Sequence, residues 1–135
     1  MKKRVKEWVK YSKLDLDSAL KLLESPELTQ SAAFHCQQSI EKALKAIIEE
    51  KINKVPRTHD LEKLYGLIEE YGIKLKIDED ILDQVNDVYI ETRYPSDLGL
   101  VPEGIPKVET IKYFYDLSES IYKQVIEILN IQQAL

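Results

Sequence analysis

The chain has 135 residues, a formal net charge of −5, one cysteine and four glycines. That length suits a single domain over residues 1–135, long enough to bury a core without disulfides or a metal staple. Lone Cys36 excludes a disulfide framework and fits a reducing compartment. The negative balance argues against coating nucleic acid over the whole surface, and neither a signal peptide nor a membrane span is visible, so a cytoplasmic protein with no membrane association is expected.

Apolar residues recur at helical spacing almost throughout and no stretch alternates like a half-buried strand, which predicts an all-α fold. In the first helix Val5, Trp8, Val9, Ser12, Leu16, Ala19, Leu20 and Leu23 share one stripe, and Pro26 closes the element. Basic residues crowd its start: Lys2, Lys3, Arg4, Lys6, Lys10 and Lys13. Asp15 lies at the margin of the core stripe beside Tyr11, and a carboxylate there needs a partner. The partner is either a Lys or Arg on a neighbouring helix or, more pointedly, Arg93, whose guanidinium fork a bidentate carboxylate would hold.

Thr29 or Ser31 is placed to cap a second helix, whose buried arc is Ala33, Cys36, Gln37, Ile40, Ala43, Leu44, Ile47 and Ile48, with Asn53 and Pro56 ending it. Cys36 in that arc is a poor nucleophile. His35, Gln38, Lys42, Lys45 and Glu49 project on the opposite arc. Such a stripe reads first as solvated surface, and second as a hydrogen-bonding strip for phosphate or for a partner's acidic face. Thr58 is the expected N-cap of a short third helix with Leu61, Leu64, Tyr65 and Ile68 inward and Gly72 at its end; His59, in its first turn, reads as capping or packing.

Asp78 opens a fourth helix with Ile81, Leu82, Val85, Val88 and Tyr89 inward, which stops near Tyr94 because the residue before Pro95 avoids the helical region. The acidic run Asp78, Glu79, Asp80, Asp83 and Asp87 complements the positive end of that helix, and no metal is expected there. Asn86, Tyr89 and Arg93 follow one another at helical spacing, with Tyr94 next to Arg93 and Ser96 and Asp97 able to fold back. An arginine offers fixed donors matched to phosphate and a tyrosine can stack or hydrogen-bond, although arginine at a helix end is also ordinary capping chemistry. The Pro- and Gly-punctuated loop from Pro95 to Pro106 is a functional candidate, and a last helix runs from about Lys107 to Ile131 with Val108, Ile111, Tyr115, Tyr122, Ile126 and Leu129 inward. Four longer helices and a short one predict an antiparallel four-to-five-helix up-and-down bundle. No Gly-rich phosphate loop is present and no cofactor is expected.

The phrase Phe34-His35-Cys36-Gln37-Gln38-Ser39-Ile40-Glu41-Lys42-Ala43-Leu44-Lys45-Ala46, then Arg57-Thr58-His59-Asp60-Leu61-Glu62-Lys63-Leu64, then Thr92-Arg93-Tyr94-Pro95, resembles the HEPN domain family in order and spacing over nearly the whole chain. The resemblance implies a helical bundle, often a homodimer, encoded in prokaryotes beside a minimal nucleotidyltransferase as a two-component or toxin–antitoxin pair. Many members cleave RNA. Family ribonucleases carry an arginine followed a few residues later by a histidine, with the sites of two subunits meeting at the dimer interface. Here Arg93 takes the arginine's place, and Leu98, Gly99 and Leu100 stand where the histidine belongs.

Without that histidine the resemblance implies binding of a nucleotide or RNA rather than cleavage. The residues it singles out are Arg93, Tyr94, Tyr89, Asn86 and Asp97, together with His35, Gln38, Lys42 and His59 at matching motif positions and Asp15 of similar standing. The expectation is a non-catalytic partner of a nucleotidyltransferase. Two alternatives remain: a divergent, metal-independent endoribonuclease in which Arg93 clamps phosphate while Asp97, His35 or His59 handles the proton, and a pure protein–protein interaction module.

Overall fold

Among the described residues helical periodicity is realised as five α-helices: α1 (Lys3–Leu22), α2 (Thr29–Lys51), α3 (Leu61–Glu70), α4 (Glu79–Arg93) and α5 (Val108–Leu129), with a 3-10 turn at Pro26–Leu28. The computed structural model describes residues 2–93 and 106–130, with side chains described outside 89–93, and there is no strand among the described residues.

Helix α2 is the centre of the bundle and packs against each of the other four helices. Its arc of Ile40, Leu44, Ile47 and Ile48 is fully buried, and so are Leu61, Leu64 and Ile68 of α3 and Ile111 and Ile121 of α5. Burial of one such side chain is worth about 1.5–3 kcal/mol, so this arc outweighs any single cap in holding α2 in place. Helix α1 lies antiparallel to α2. At one end the Lys2 ammonium donates to the Glu49 carbonyl (3.2 Å), and in the middle Ser12 and Ser39 each donate a hydroxyl to the other's carbonyl (2.7 and 2.9 Å). Two small residues at that crossing let the helix backbones approach closely enough for the exchange.

Helix α5 runs in the same direction as α2, because the Thr29 hydroxyl donates to the Pro106 carbonyl (2.6 Å) and Ser118, farther along, donates to the Cys36 carbonyl (3.1 Å). Gln124, near the end of α5, is tied to the backbone of Lys76 by two hydrogen bonds (2.7 and 2.9 Å). Helix α4 therefore starts beside the end of α5, runs antiparallel to it, and finishes at the end of the bundle where α2 and α5 begin.

Three local expectations are corrected. Neither Thr29 nor Ser31 caps α2: Leu28 stands at the N-cap without a side-chain hydrogen bond, and the Thr29 hydroxyl is used by Pro106. Asp60, not Thr58, caps α3, accepting from the backbone N–H of Glu62 (3.0 Å) and Lys63 (3.3 Å), while Thr58 accepts from Asp60 N–H one step upstream (3.1 Å). Leu20 is 51% exposed rather than part of the core stripe, which narrows toward the end of α1. The terminators behave as read: Asn53 and Gly72 take φ of 65° and 81°, the left-handed region that ends helices, and Asp78 accepts from Asp80 and Ile81 N–H at the start of α4.

Candidate functional site

The polar arc of α2 is not a solvated face. Lys45 and Glu49 are each only 7% exposed, and His35, Gln38 and Lys42 are half-buried, because α1 and the α3 approach cover a helix already surrounded elsewhere. Polar groups in such a place need partners. Among the described residues, no buried side-chain polar atom is left without one.

Asp15 of α1 supplies the first set. Its Oδ1 meets His35 Nδ1 at 2.8 Å and its Oδ2 accepts from Lys42 Nζ at 2.6 Å. His35 and Lys42 stand two turns apart on α2, so both reach the same carboxylate. Both of its oxygens are thus engaged by the neighbouring helix. Among the described side chains Asp15 meets a lysine of the neighbouring helix, one of the two partners considered, together with a histidine the sequence did not pair with it; the Arg93 side chain lies outside the described residues. The side chains of His35 and Lys42 keep 32% and 24% exposure, which leaves the cluster open to solvent on one side.

Glu41 organises a second set of the same composition. Its Oε1 meets His59 Nδ1 at 3.0 Å, and its Oε2 accepts from Lys45 Nζ at 3.0 Å. Gln37 donates to Glu41 Oε1 (3.3 Å) and to the His59 carbonyl (3.2 Å), and Gln38 donates to Gln37 Oε1 (2.6 Å). An aromatic ring of α1 sits by each ammonium: Tyr11 is 6.0 Å from Lys42 Nζ and Trp8 is 5.5 Å from Lys45 Nζ. The repetition follows from geometry, since steps of three residues in opposite directions along antiparallel helices bring equivalent neighbours together. In each set a carboxylate fixes the imidazole through Nδ1, so that a neutral ring presents Nε2 as the acceptor.

From His59 the polar line continues into α4. Asn86 Oδ1 accepts from Leu61 N–H (2.8 Å) and Asn86 Nδ2 donates to Asp60 Oδ1 (3.0 Å), so this side chain secures the start of α3 from across the helix pair. Beyond Asn86, α4 runs on for roughly 10 Å at 1.5 Å per residue before it ends at Arg93. The side chains of Tyr89 and Arg93, and all of Tyr94, Ser96 and Asp97, lie outside the described residues. The structure therefore brings Asp15, His35 and Lys42 into one cluster and links Gln38, His59 and Asn86 into a second chain of contacts.

Other chemistries find less support. Burial pushes the Cys36 thiol up to about 12, with a hydrogen bond to Ser118 opposing only weakly. No group of three metal-ligating side chains occurs among the described residues. Where the acidic run of α4 meets Glu62 of α3, a hydrogen bond to Asp83, then burial and the charges of Asp83, Asp60 and Asp87, raise the Glu62 carboxyl, while burial and then Asp83 raise that of Asp87. Those carboxyls crowd one another and point to no ligand.

Glu41 and Gln37 were not singled out as site residues by the sequence. The available signal was spacing: Glu41 lies one turn from both Gln37 and Lys45, and its neighbours Ile40, Ala43 and Leu44 are core residues that keep it from water.

A family model described as HEPN domain matches residues 5–133. The crystal structure of an archaeal HEPN homologue is similar with a TM-score of 0.66 at 25% sequence identity, covering 96% of this chain and 99% of that chain. No curated protein sequence matches the chain. No helix among the described residues is long and apolar enough to cross a membrane.

Proposed function

The chain belongs to the HEPN domain family, and on that premise we propose that it binds a nucleotide or RNA through phosphate without cleaving it, as a cytoplasmic homodimer paired with a minimal nucleotidyltransferase in a two-component or toxin–antitoxin arrangement. One observation carries the reading. α2 holds Lys42 and His35, each fixed by Asp15 and each open to solvent on one side, and α4 ends at Arg93 at the end of the bundle where α2 begins. In this reading Arg93 takes the phosphate as a bidentate donor, Tyr94, Tyr89 and Asp97 contact base or sugar, and Lys42 and His35 border the ligand. Gln38, His59 and Asn86 act behind them, through Glu41 and Asp60. The absence of cleavage rests on Leu98, Gly99 and Leu100, which offer no acid or base where the family's ribonucleases carry a histidine.

Calorimetric titration with nucleoside mono- and triphosphates and with a short RNA tests this. The wild type binds, and Arg93→Ala weakens binding about tenfold or more with an unchanged thermal transition, as expected for the loss of a charge-assisted hydrogen bond. No binding by the wild type, alone or with a nucleotidyltransferase encoded beside it, refutes it. The Asp15–His35 pair favours a second reading, a divergent ribonuclease in which His35 Nε2 takes the proton of a ribose hydroxyl while Arg93 clamps the phosphate. Incubation with RNA decides between them: intact RNA supports binding alone, whereas cleavage lost in both Arg93→Ala and His35→Ala supports the second.

A further inference from the structure

Lys3, Lys6 and Lys10 lie in the outward sector of α1, within roughly 60° of one another at 100° per residue, and all three are exposed. None has an ion-pair partner among the described residues. Their basic neighbours are held: Arg4 by Glu49 at 3.3 Å, Lys13 by Asp17, and Lys2 by the Glu49 carbonyl and Asn53. Glu7 is the one carboxylate between Lys3 and Lys10, so a chain of net charge −5 concentrates positive charge on this face. Beside the row sits Tyr11, 50% exposed, with the Lys10 and Lys42 ammoniums 5.9 and 6.0 Å from its ring centre. Asp15 pins Lys42, which keeps one of those two cations in position.

Unpaired cations in a row next to a half-open aromatic ring are the elements by which proteins hold single strands, phosphates on the cations and a base stacked on the ring. From Lys3 to Lys10 is roughly 10 Å along the helix, a span that the long lysine side chains can match to a few successive phosphates of one strand. A duplex would hide its bases from Tyr11. A membrane would demand the apolar face of α1, yet Val5, Val9, Leu16 and Ala19 are buried in the core. We infer that the outer face of α1 is a docking track for single-stranded RNA, with Lys3, Lys6 and Lys10 on successive phosphates and Tyr11 under a base. The track rests on the nucleic-acid reading above and deepens it, being built by side chains of α1, with Tyr11 at the edge nearest Lys42.

A short fluorescein-labelled oligouridylate, titrated with the full chain by fluorescence anisotropy over a salt series, tests it, with uridine monophosphate titrated calorimetrically in parallel. The variant Lys3→Gln/Lys6→Gln/Lys10→Gln is expected to reduce the slope of log K against log salt by about 2, at ~0.7 for each phosphate no longer neutralised. Tyr11→Ala is expected to weaken oligouridylate binding about tenfold with the slope unchanged. Monophosphate binding holds in the triple lysine variant and is weakened about tenfold or more in Arg93→Ala. An unchanged slope in the triple variant, or an oligonucleotide bound no tighter than the monophosphate, overturns the track and leaves nucleotide binding at Arg93 standing. Displacement of the RNA by poly-glutamate of equal charge, with Tyr11→Ala without effect, makes this a face for acidic protein and overturns the track as well.

Discussion

Replacing Glu41 by leucine removes the acceptor that Lys45, His59 and Gln37 share at 3.0, 3.0 and 3.3 Å. The Lys45 side chain is 8% exposed and that of Glu41 5%, so neither charge has water to fall back on. Losing one partner of a buried pair costs about 3–5 kcal/mol, because the remaining charge stays desolvated and uncompensated. Against a total of about 5–15 kcal/mol for a domain, Glu41→Leu leaves the protein folded but marginal. With a urea m-value of ~2 kcal/mol/M the midpoint falls by about 2 M, read by far-ultraviolet circular dichroism. The double variant Glu41→Leu/Lys45→Leu recovers most of the loss, since an apolar pair of similar volume replaces the ion pair at little net cost. A loss below about 1 kcal/mol in the single variant, or a double variant equal to the sum of the singles, refutes the argument that this pair is a buried, coupled unit.

Asn86→Ala takes the acceptor from Leu61 N–H and the donor from Asp60, and is expected to cost about 1–2 kcal/mol in urea unfolding; a loss near zero shows that water replaces both hydrogen bonds. Glu62 has its carboxyl raised by a hydrogen bond that it donates to Asp83 and by the like charge there, so the folded state holds that proton more tightly than the unfolded chain does. Stability from this cluster therefore rises as pH falls through the folded pKa, and the repulsion is present above it. Asp83→Asn is expected to stabilise at pH 7 by a few tenths of a kcal/mol (~0.3), an increment that shrinks on acidification; a destabilised variant at neutral pH contradicts this. Cys36 is 0% exposed and its thiol is pushed up to about 12, so labelling by a thiol reagent at mildly alkaline pH should track unfolding. Rapid stoichiometric labelling of the folded protein counts against that.

Periodicity carried the helices because each apolar arc is set by residues three and four apart, a purely local relation. Ile40, Leu44, Ile47 and Ile48 were legible on that ground, as were the terminators Asn53 and Gly72, whose backbone preferences are intrinsic. Caps were less legible: Thr58 and Asp60 are both good cap residues two positions apart, and Asn86, far along the chain, helps hold Asp60 in the position that wins. Leu20 was misread because a stripe shows which face is apolar and not how far along the helix its neighbour reaches.

The candidate site divides in the same way. His35, Gln38, Lys42 and His59 were found through sequence motifs, and Asp15 through its position at the edge of a stripe. A basic residue on a neighbouring helix is expected for Asp15, but which residues meet was not legible, since Asp15 meets Lys42 across 27 positions and Glu41 meets His59 across 18. A polar arc on an isolated helix faces water, which is how His35, Lys42 and Lys45 first read. In the bundle α2 is central and has no water face along much of its length.

By itself, then, the sequence determined the all-α class, the core arcs and the membership that makes Arg93 the residue to test, because these rest on local spacing and motif order. Only the tertiary structure decided that the polar arc of α2 is covered by α1 and braced by two carboxylate–histidine–lysine sets. Burial makes unpaired charge costly, and which charges meet depends on the packing of helices distant in the chain.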